Sequence, residues 1–373
     1  MKRKVIKYFK GDIVIWIVIL IISIFSLLAV YSASGTLAYK YQGGDTSYYF
    51  FKHTFFLIFG LCITYIIHLM PYRYFWGISP FILYLSFPLL ILTLFLGENI
   101  NQASRWLTLP IIGLSFQTSD LAKFALIIYV ARFLSKRKDN RKINKNEFFS
   151  IIIPIFFITF LILPANFSTA IILFINVLIL LFIGRVRTSY ILSSLFVLLI
   201  AFIFFVFIAM QFPKIFRVET WEKRIENYLS EDSKTNYQVE QSKIAIATGG
   251  FFGKFPGNST QRNFLPHPYS DFIYAIILEE YGLFGGIIIL FLYLFLFFRT
   301  GIIVKESTRT FPSFLSMGLT ISLVFQALSN MAVAVNLIPV TGQPLPFISM
   351  GGTSLLFTSV AFGIILRLSR IKK

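Results

Sequence analysis

Cysteine, histidine, acidic residues and charge in general are all scarce in this chain of 373 residues, and each shortage excludes something. The one cysteine, Cys62, lies inside an apolar run without a second thiol, so no disulfide framework is available. The three histidines, His53, His68 and His267, are scattered, and no His/Cys metal site is expected. Charged residues make up 13% of the chain, where a soluble domain carries about 25%. No Gly-Lys-Ser/Thr closes a glycine-rich stretch, which excludes a Walker A nucleotide site. There is no fixed-period repeat and no low-complexity linker.

What fills the chain instead is apolar: 57% hydrophobic residues, with 45 phenylalanines. A single globular core of this size cannot hide that surface, and lipid is its natural solvent. Runs of spanning length, roughly 20 residues, occur at about 13–33, 54–70, 74–96, 119–135, 148–163, 168–184, 190–212, 272–298, 313–338 and 352–368. They predict an all-α integral membrane protein of about ten transmembrane helices, forming one polytopic domain over 1–373. The fifth and sixth runs are split by Leu163-Pro164-Ala165-Asn166, where proline ends a helix and the asparagine needs a partner.

Lysine and arginine set the orientation. With the N-terminus inside, the inner segments hold 22 of them and the short outer segments three. The expected topology is N-in and C-in, with 213–271 as one long extracytoplasmic loop. The net charge of +18 then reads as topology and contact with anionic membrane lipid, not nucleic acid. The basic start and Ala29-Val30-Tyr31-Ser32-Ala33-Ser34 imitate a signal peptide. The apolar stretch exceeds a typical h-region and nine more runs follow, so an uncleaved first helix is expected. In the long loop, Val218, Trp221, Ile225 and Tyr228 oppose Glu219, Glu222, Lys223 and Glu226 at helical spacing. Such a segment suits the membrane surface, either covering the bundle or guiding substrate in.

Charges in or beside spans are costly and usually face a cavity or a partner. Here the notable ones fall at outer helix ends or in outer loops, in four clusters. The first runs from Ala103 to Lys123. The planar fork of Arg105 suits phosphate oxygens, Ser119 is a candidate N-cap, and Asp120 and Lys123 share a helix face. They form either a cationic pyrophosphate site or a buried pair that locks helices. The second, Asn236 to Gln261, is glycine-rich and lets backbone approach a ligand. The third, Asn263 to Gly282, places Asp271 at an apolar helix mouth, as general base or helix cap. Glu279 and Glu280 lie about 12 Å deeper on a straight helix, too far for a close pair with Asp271, and are read as a satisfied buried polar site. The fourth, Asn336 to Ser354, is a proline- and glycine-rich outer turn whose default role is packing.

Together, in this order on ten helices, these clusters resemble the shape, elongation, division and sporulation family over essentially the whole chain. GKFPGNSTQRNFLP resembles the division branch more than the elongation branch. The resemblance implies an inverting peptidoglycan glycosyltransferase of the inner (plasma) membrane. Its substrate would be lipid II, an undecaprenyl-pyrophosphate-linked disaccharide-pentapeptide, polymerised at the outer face for septal wall synthesis. The family's essential aspartate matches Asp271. Its Ser-Glu-Leu-Ala-Lys stretch matches Ser119-Asp120-Leu121-Ala122-Lys123, and its Arg-Trp pair matches Arg105-Trp106. Gln241, Lys243 and Arg262 are further candidate substrate contacts. Tyr269-Ser270 replaces the family's usual His-Thr, His267 its glutamate, and Met350-Gly351-Gly352 its Tyr-Gly-Gly. The stretch 163–170 lacks the family's acid and glycine and receives no catalytic role.

An α-linked pyrophosphate donor and a β-1,4 product, both implied by the family, require inversion in one displacement. That needs a base for the acceptor hydroxyl and positive charge for the leaving pyrophosphate. A divalent cation, magnesium or manganese, is compatible with this chemistry, but the sequence shows no dedicated carboxylate cage. Expected partners are a class B penicillin-binding transpeptidase, divisome proteins and membrane lipid. Two alternatives stay open: a lipid II flippase or other transporter, although transporter sites favour the midplane, and a non-catalytic scaffold that activates the transpeptidase.

Overall fold

Backbone groups in lipid must be satisfied within the segment itself, which makes a long apolar run a helix. Each of the ten apolar runs coincides with a helix in the computed structural model, which describes residues 11–41, 43–100, 103–108, 115–137, 143–211 and 237–370. The order is α1 (Ile13–Ala33), α2 (Gly35–Tyr41), α3 (Thr46–Leu69), α4 (Arg73–Leu96), β1 (Glu98–Ile100), β2 (Ala103–Thr108), β3 (Ser115–Gln117), α5 (Thr118–Ser135), α6 (Lys145–Ile162), α7 (Phe167–Ile183), α8 (Thr188–Gln211), α9 (Tyr237–Gly249), α10 (Ile273–Glu306), α11 (Thr310–Ala334) and α12 (Gly352–Ser369). A 3₁₀ turn, Gln261–Asn263, precedes α10. Among the described residues, eight helices are long and apolar enough to cross a membrane: α1, α3, α4, α6, α8, α10, α11 and α12. The apolar α7 has 17 residues, and α5 carries Asp120, Lys123 and Arg132 among its 18. The protein is an all-α multi-pass membrane protein with one addition that the sequence reading did not anticipate. Segment 98–117 holds a small antiparallel sheet, β1–β2–β3, with Trp106 opposite Gln117. The amphipathic segment 218–228 lies outside the described residues.

The chain divides into two compact units: Met1–Met70 with Ile225–Ser307 and Leu323–Lys373, and Pro71–Arg224 with Thr308–Ser322. In the first, α3 and α12 pack through small residues. A Cβ on Gly60 would meet Ser359 Oγ at 2.5 Å and Leu355 Cδ2 at 2.6 Å, so only glycine allows this approach. Thr64 Oγ1 donates to Ser359 O at 2.9 Å along the same seam. At the start of α1, Asp12 Oδ1 accepts from Val14 N at 3.0 Å, while Oδ2 pairs with Arg299 at 2.6 Å. The cap and the ion pair fasten α1 to α10.

In the second unit, Pro164 ends α6 and Asn166 caps α7, its Oδ1 accepting from Thr169 N at 3.3 Å. The asparagine thus has the partner that the sequence demanded. Arg132 lies over the Trp76 ring at 5.2 Å, and Arg137 Nη1 donates to Gly184 O at 2.6 Å. Burial lowers the Arg137 guanidinium from its ordinary pKa. On α8, Leu192, Phe196, Ile200 and Phe204 are all exposed. A face of this kind is stable against lipid and not against water.

Candidate active site

Asp271 sits two residues before α10, half-buried, between the glycine-rich loop and the apolar helix. The cap position of α10 is Phe272, and no side chain caps this end. Helix capping, the bland reading of Asp271, therefore does not hold. Its Oδ1 accepts from Ser270 Oγ at 2.9 Å, and its second oxygen takes no hydrogen bond from a described residue. Tyr269 lies next to it, and burial first, then the Asp271 charge, raises that phenol above its ordinary pKa. A carboxylate with one open oxygen at this position can take a proton from a hydroxyl.

Glu279 and Glu280, deeper on α10, organise the glycine-rich loop. Both are fully buried, at 0% and 1% exposure. Glu279 pairs with Lys254 at 2.7 Å and accepts from Ser259 Oγ at 2.5 Å, Thr260 N at 3.1 Å and Gln261 N at 3.2 Å. Glu280 bonds Ser32 Oγ and accepts from Ser259 N at 3.2 Å. One turn on, α10 is broken at Gly282, with φ 67° and ψ −172°. The loop fills the break: Leu283 N donates to Gly250 O at 2.9 Å, and Lys254 N donates to Glu279 O at 2.9 Å. The sequence allowed a satisfied buried polar site at these two acids, but not which segment satisfies it. The signal was present as two adjacent acids inside an apolar run, which only a folded loop could satisfy.

The anchored loop carries Arg262, whose guanidinium donates to Ser32 Oγ at 3.1 Å and Ser32 O at 3.3 Å. Gln241 and Lys243 lie on α9, half-buried and exposed respectively. These three share the first unit with Asp271.

The remaining candidates belong to the second unit. Arg105 and Trp106 lie on β2, and β2 pairs with β3, which runs directly into α5. The sheet thus sets the Arg-Trp strand beside the strand that leads into Ser119, Asp120 and Lys123. Ser119 is not the N-cap expected of it. The helix starts at Thr118 with Gln117 at the cap, because β3 continues straight into the first turn. Ser119 Oγ instead accepts from Gln117 Nε2 at 3.0 Å. Asp120 does occupy the first turn, and Lys123 pairs with it at 2.7 Å, with side-chain exposures of 7% and 14%. The pair is neutral as a whole, which favours the locking role for Lys123 over a free cation. Among the described residues no three His, Cys, Asp or Glu side chains converge. Those residues offer no protein cage for a divalent cation.

Known proteins share this architecture over the whole length. The fold is similar to that of a chain from a peptidoglycan synthase complex studied for the structural coordination of polymerization and crosslinking. The TM-score is 0.76 at 23% identity, covering 97% of this chain and 98% of that one. The rod shape determining protein RodA of Thermus thermophilus gives 0.69 at 22% identity, covering 97% of each chain. In sequence, the chain is 31% identical to the "Probable peptidoglycan glycosyltransferase FtsW" of Trichlorobacter lovleyi, over 98% of this chain and 95% of the relative. It is 32% identical to stage V sporulation protein E of Bacillus subtilis, over 97% and 98%. Residues 12–373 match the cell cycle protein family of FtsW, RodA and SpoVE, and the chain belongs to that family.

Proposed function

We propose that the chain is an inverting peptidoglycan glycosyltransferase of the bacterial inner membrane, polymerising lipid II at the outer face during cell division. Support comes from its full-length relatives named peptidoglycan glycosyltransferase. The observation that carries the mechanism is the Asp271 carboxylate, which caps no helix and keeps one oxygen free of described donors. In the reaction, an acceptor sugar hydroxyl gives its proton to Asp271. Its oxygen forms a bond to the donor's anomeric carbon, and the bond from that carbon to pyrophosphate oxygen breaks. Lipid pyrophosphate departs with the electron pair, and the carbon inverts.

The departing charge needs donors. Arg105 is the first candidate, with its planar fork for two phosphate oxygens. Lys123 contributes less, since Asp120 already meets its charge. Gln241, Lys243 and Arg262 in the unit of Asp271, and Trp106, Ser119 and Asp120 in the other, are each proposed as substrate contacts. A class B transpeptidase is the proposed partner in the membrane. The deciding experiment incubates purified protein with lipid II, with and without that transpeptidase, and sizes the products. Glycan strands lost on Asp271→Asn support the proposal. Transbilayer movement of lipid II without polymer supports the flippase. Absence of glycan strands, with the transpeptidase's own cross-linking stimulated, supports the scaffold.

A further inference from the structure

The proline- and glycine-rich turn between α11 and α12 has a role beyond packing. Three consecutive carbonyls, those of Tyr269, Ser270 and Asp271, each accept a hydrogen bond from the end of α11 or from this turn. Met350 N donates to Tyr269 O at 2.9 Å, Ser349 Oγ to Ser270 O at 2.7 Å, and Asn330 Nδ2 to Asp271 O at 2.8 Å. We propose that Asn330 and Ser349 are positioning residues for Asp271. They fix the backbone on which the base is mounted, and they act through it without touching substrate.

Asn330 is 1% exposed and spends both amide hydrogens, on Asp271 O and on Gln343 O, each at 2.8 Å. Two acceptors on one nitrogen fix its orientation, since a flip would set Oδ1 against two carbonyls. That orientation leaves Oδ1 buried without a hydrogen-bond partner. An orphaned buried acceptor costs free energy, so this asparagine is poorly explained by packing alone. Ser349, 2% exposed, donates to Ser270 O and accepts from Leu345 N at 2.7 Å. One hydroxyl thereby ties the turn to the residue before the base. The carboxylate itself has only Ser270 Oγ as a described donor, and Ser270 sits on the same pinned backbone. The base therefore takes its position from these backbone restraints. A displacement of about 1 Å can cost a factor of about 100 in rate.

This inference rests on Asp271 as the base, and the test separates the two. Purified wild type, Asn330→Ala, Asn330→Asp, Ser349→Ala, Ser349→Thr and Asp271→Asn are compared for melting temperature and for kcat and KM with lipid II. Positioning predicts that Asn330→Ala and Ser349→Ala lower kcat about 10- to 100-fold at nearly unchanged KM. Asn330→Asp, unable to donate twice, fails likewise, and Ser349→Thr recovers most of the loss. A purely structural role lowers melting temperature and yield and leaves kcat of the folded fraction at the wild-type value. That result overturns the proposal while Asp271→Asn stays inactive. Should Asn330→Ala fail to fold, the Ser349 pair decides by the same criterion. If Asp271→Asn polymerises near the wild-type rate, the base assignment and the positioning role fall together.

Discussion

At the scale of single residues, the site divides into groups that chemistry identifies and groups that contacts identify. Asp271 stands out in the sequence as the candidate base because an acid at an apolar helix mouth is costly and the family resemblance falls on the same position. The structure removed the capping alternative by placing Phe272 at the cap. Asp271→Asn keeps the shape and removes the proton acceptor, and a general base contributes about 100- to 10,000-fold. The expected outcome is normal accumulation and melting with no detectable polymer. Activity within a few-fold of wild type returns the residue to a structural role. Lys123 shows the opposite case, since its ion pair was foreseen but its balance of roles was not. Removing it leaves Asp120 buried and unpaired, a cost of about 3 kcal/mol, so Lys123→Ala should melt well below wild type. Arg105→Ala should instead raise the KM for lipid II about 10- to 100-fold, the worth of one or two hydrogen bonds to a charged group, with melting unchanged. Equal KM values for wild type and Arg105→Ala would remove Arg105 from the pyrophosphate site.

At the scale of elements, helices were readable and their interruptions were not. Hydropathy located ten apolar runs, and each is a helix, because lipid admits no other local solution for an isolated run. The break in α10 is invisible to hydropathy, since Gly282 lies in a stretch that scores as continuous helix. It exists because loop 250–254 supplies carbonyls to the N–H groups freed beyond the break. A Cβ on Gly282 would run into Phe251 O, and its φ of 67° with ψ of −172° belongs to glycine. Gly282→Ala should destabilise the protein by at least the 1–3 kcal/mol typical of such strain, seen as a lower melting temperature in detergent. Because the loop carries Arg262 and is anchored on Glu279 of α10, polymerisation should fall as well. Wild-type melting would mean that α10 closes into a regular helix without penalty. The sheet at 98–117 went unforeseen for a related reason, since strands of three to six residues carry too little periodicity to be distinguished from loop.

At the scale of the whole molecule, topology follows from charge bias. Inner segments hold 22 Lys and Arg against three in the short outer ones, so both termini and 132–147 should be cytoplasmic and 213–271 outside. Single cysteines introduced in a Cys62→Ala background test this with a membrane-impermeant reagent. Position 140 should stay unlabelled in intact cells and a position within 213–271 should label. Outside labelling at 140 inverts the scheme.

The sequence by itself determined that this chain lives in lipid, how its helices are ordered, and which acid is the candidate base. These follow from composition, run length and a costly carboxylate, all of which are local properties. Only the tertiary structure decided that Glu279 and Glu280 anchor a loop, that Ser119 bonds Gln117 instead of capping α5, and that Asn330 and Ser349 hold the backbone of Asp271. Asn330 and Asp271 are 59 positions apart, and Ser349 and Ser270 are 79 apart. Hydrogen bonds over such separations depend on how helices pack, and no local pattern of residues encodes them.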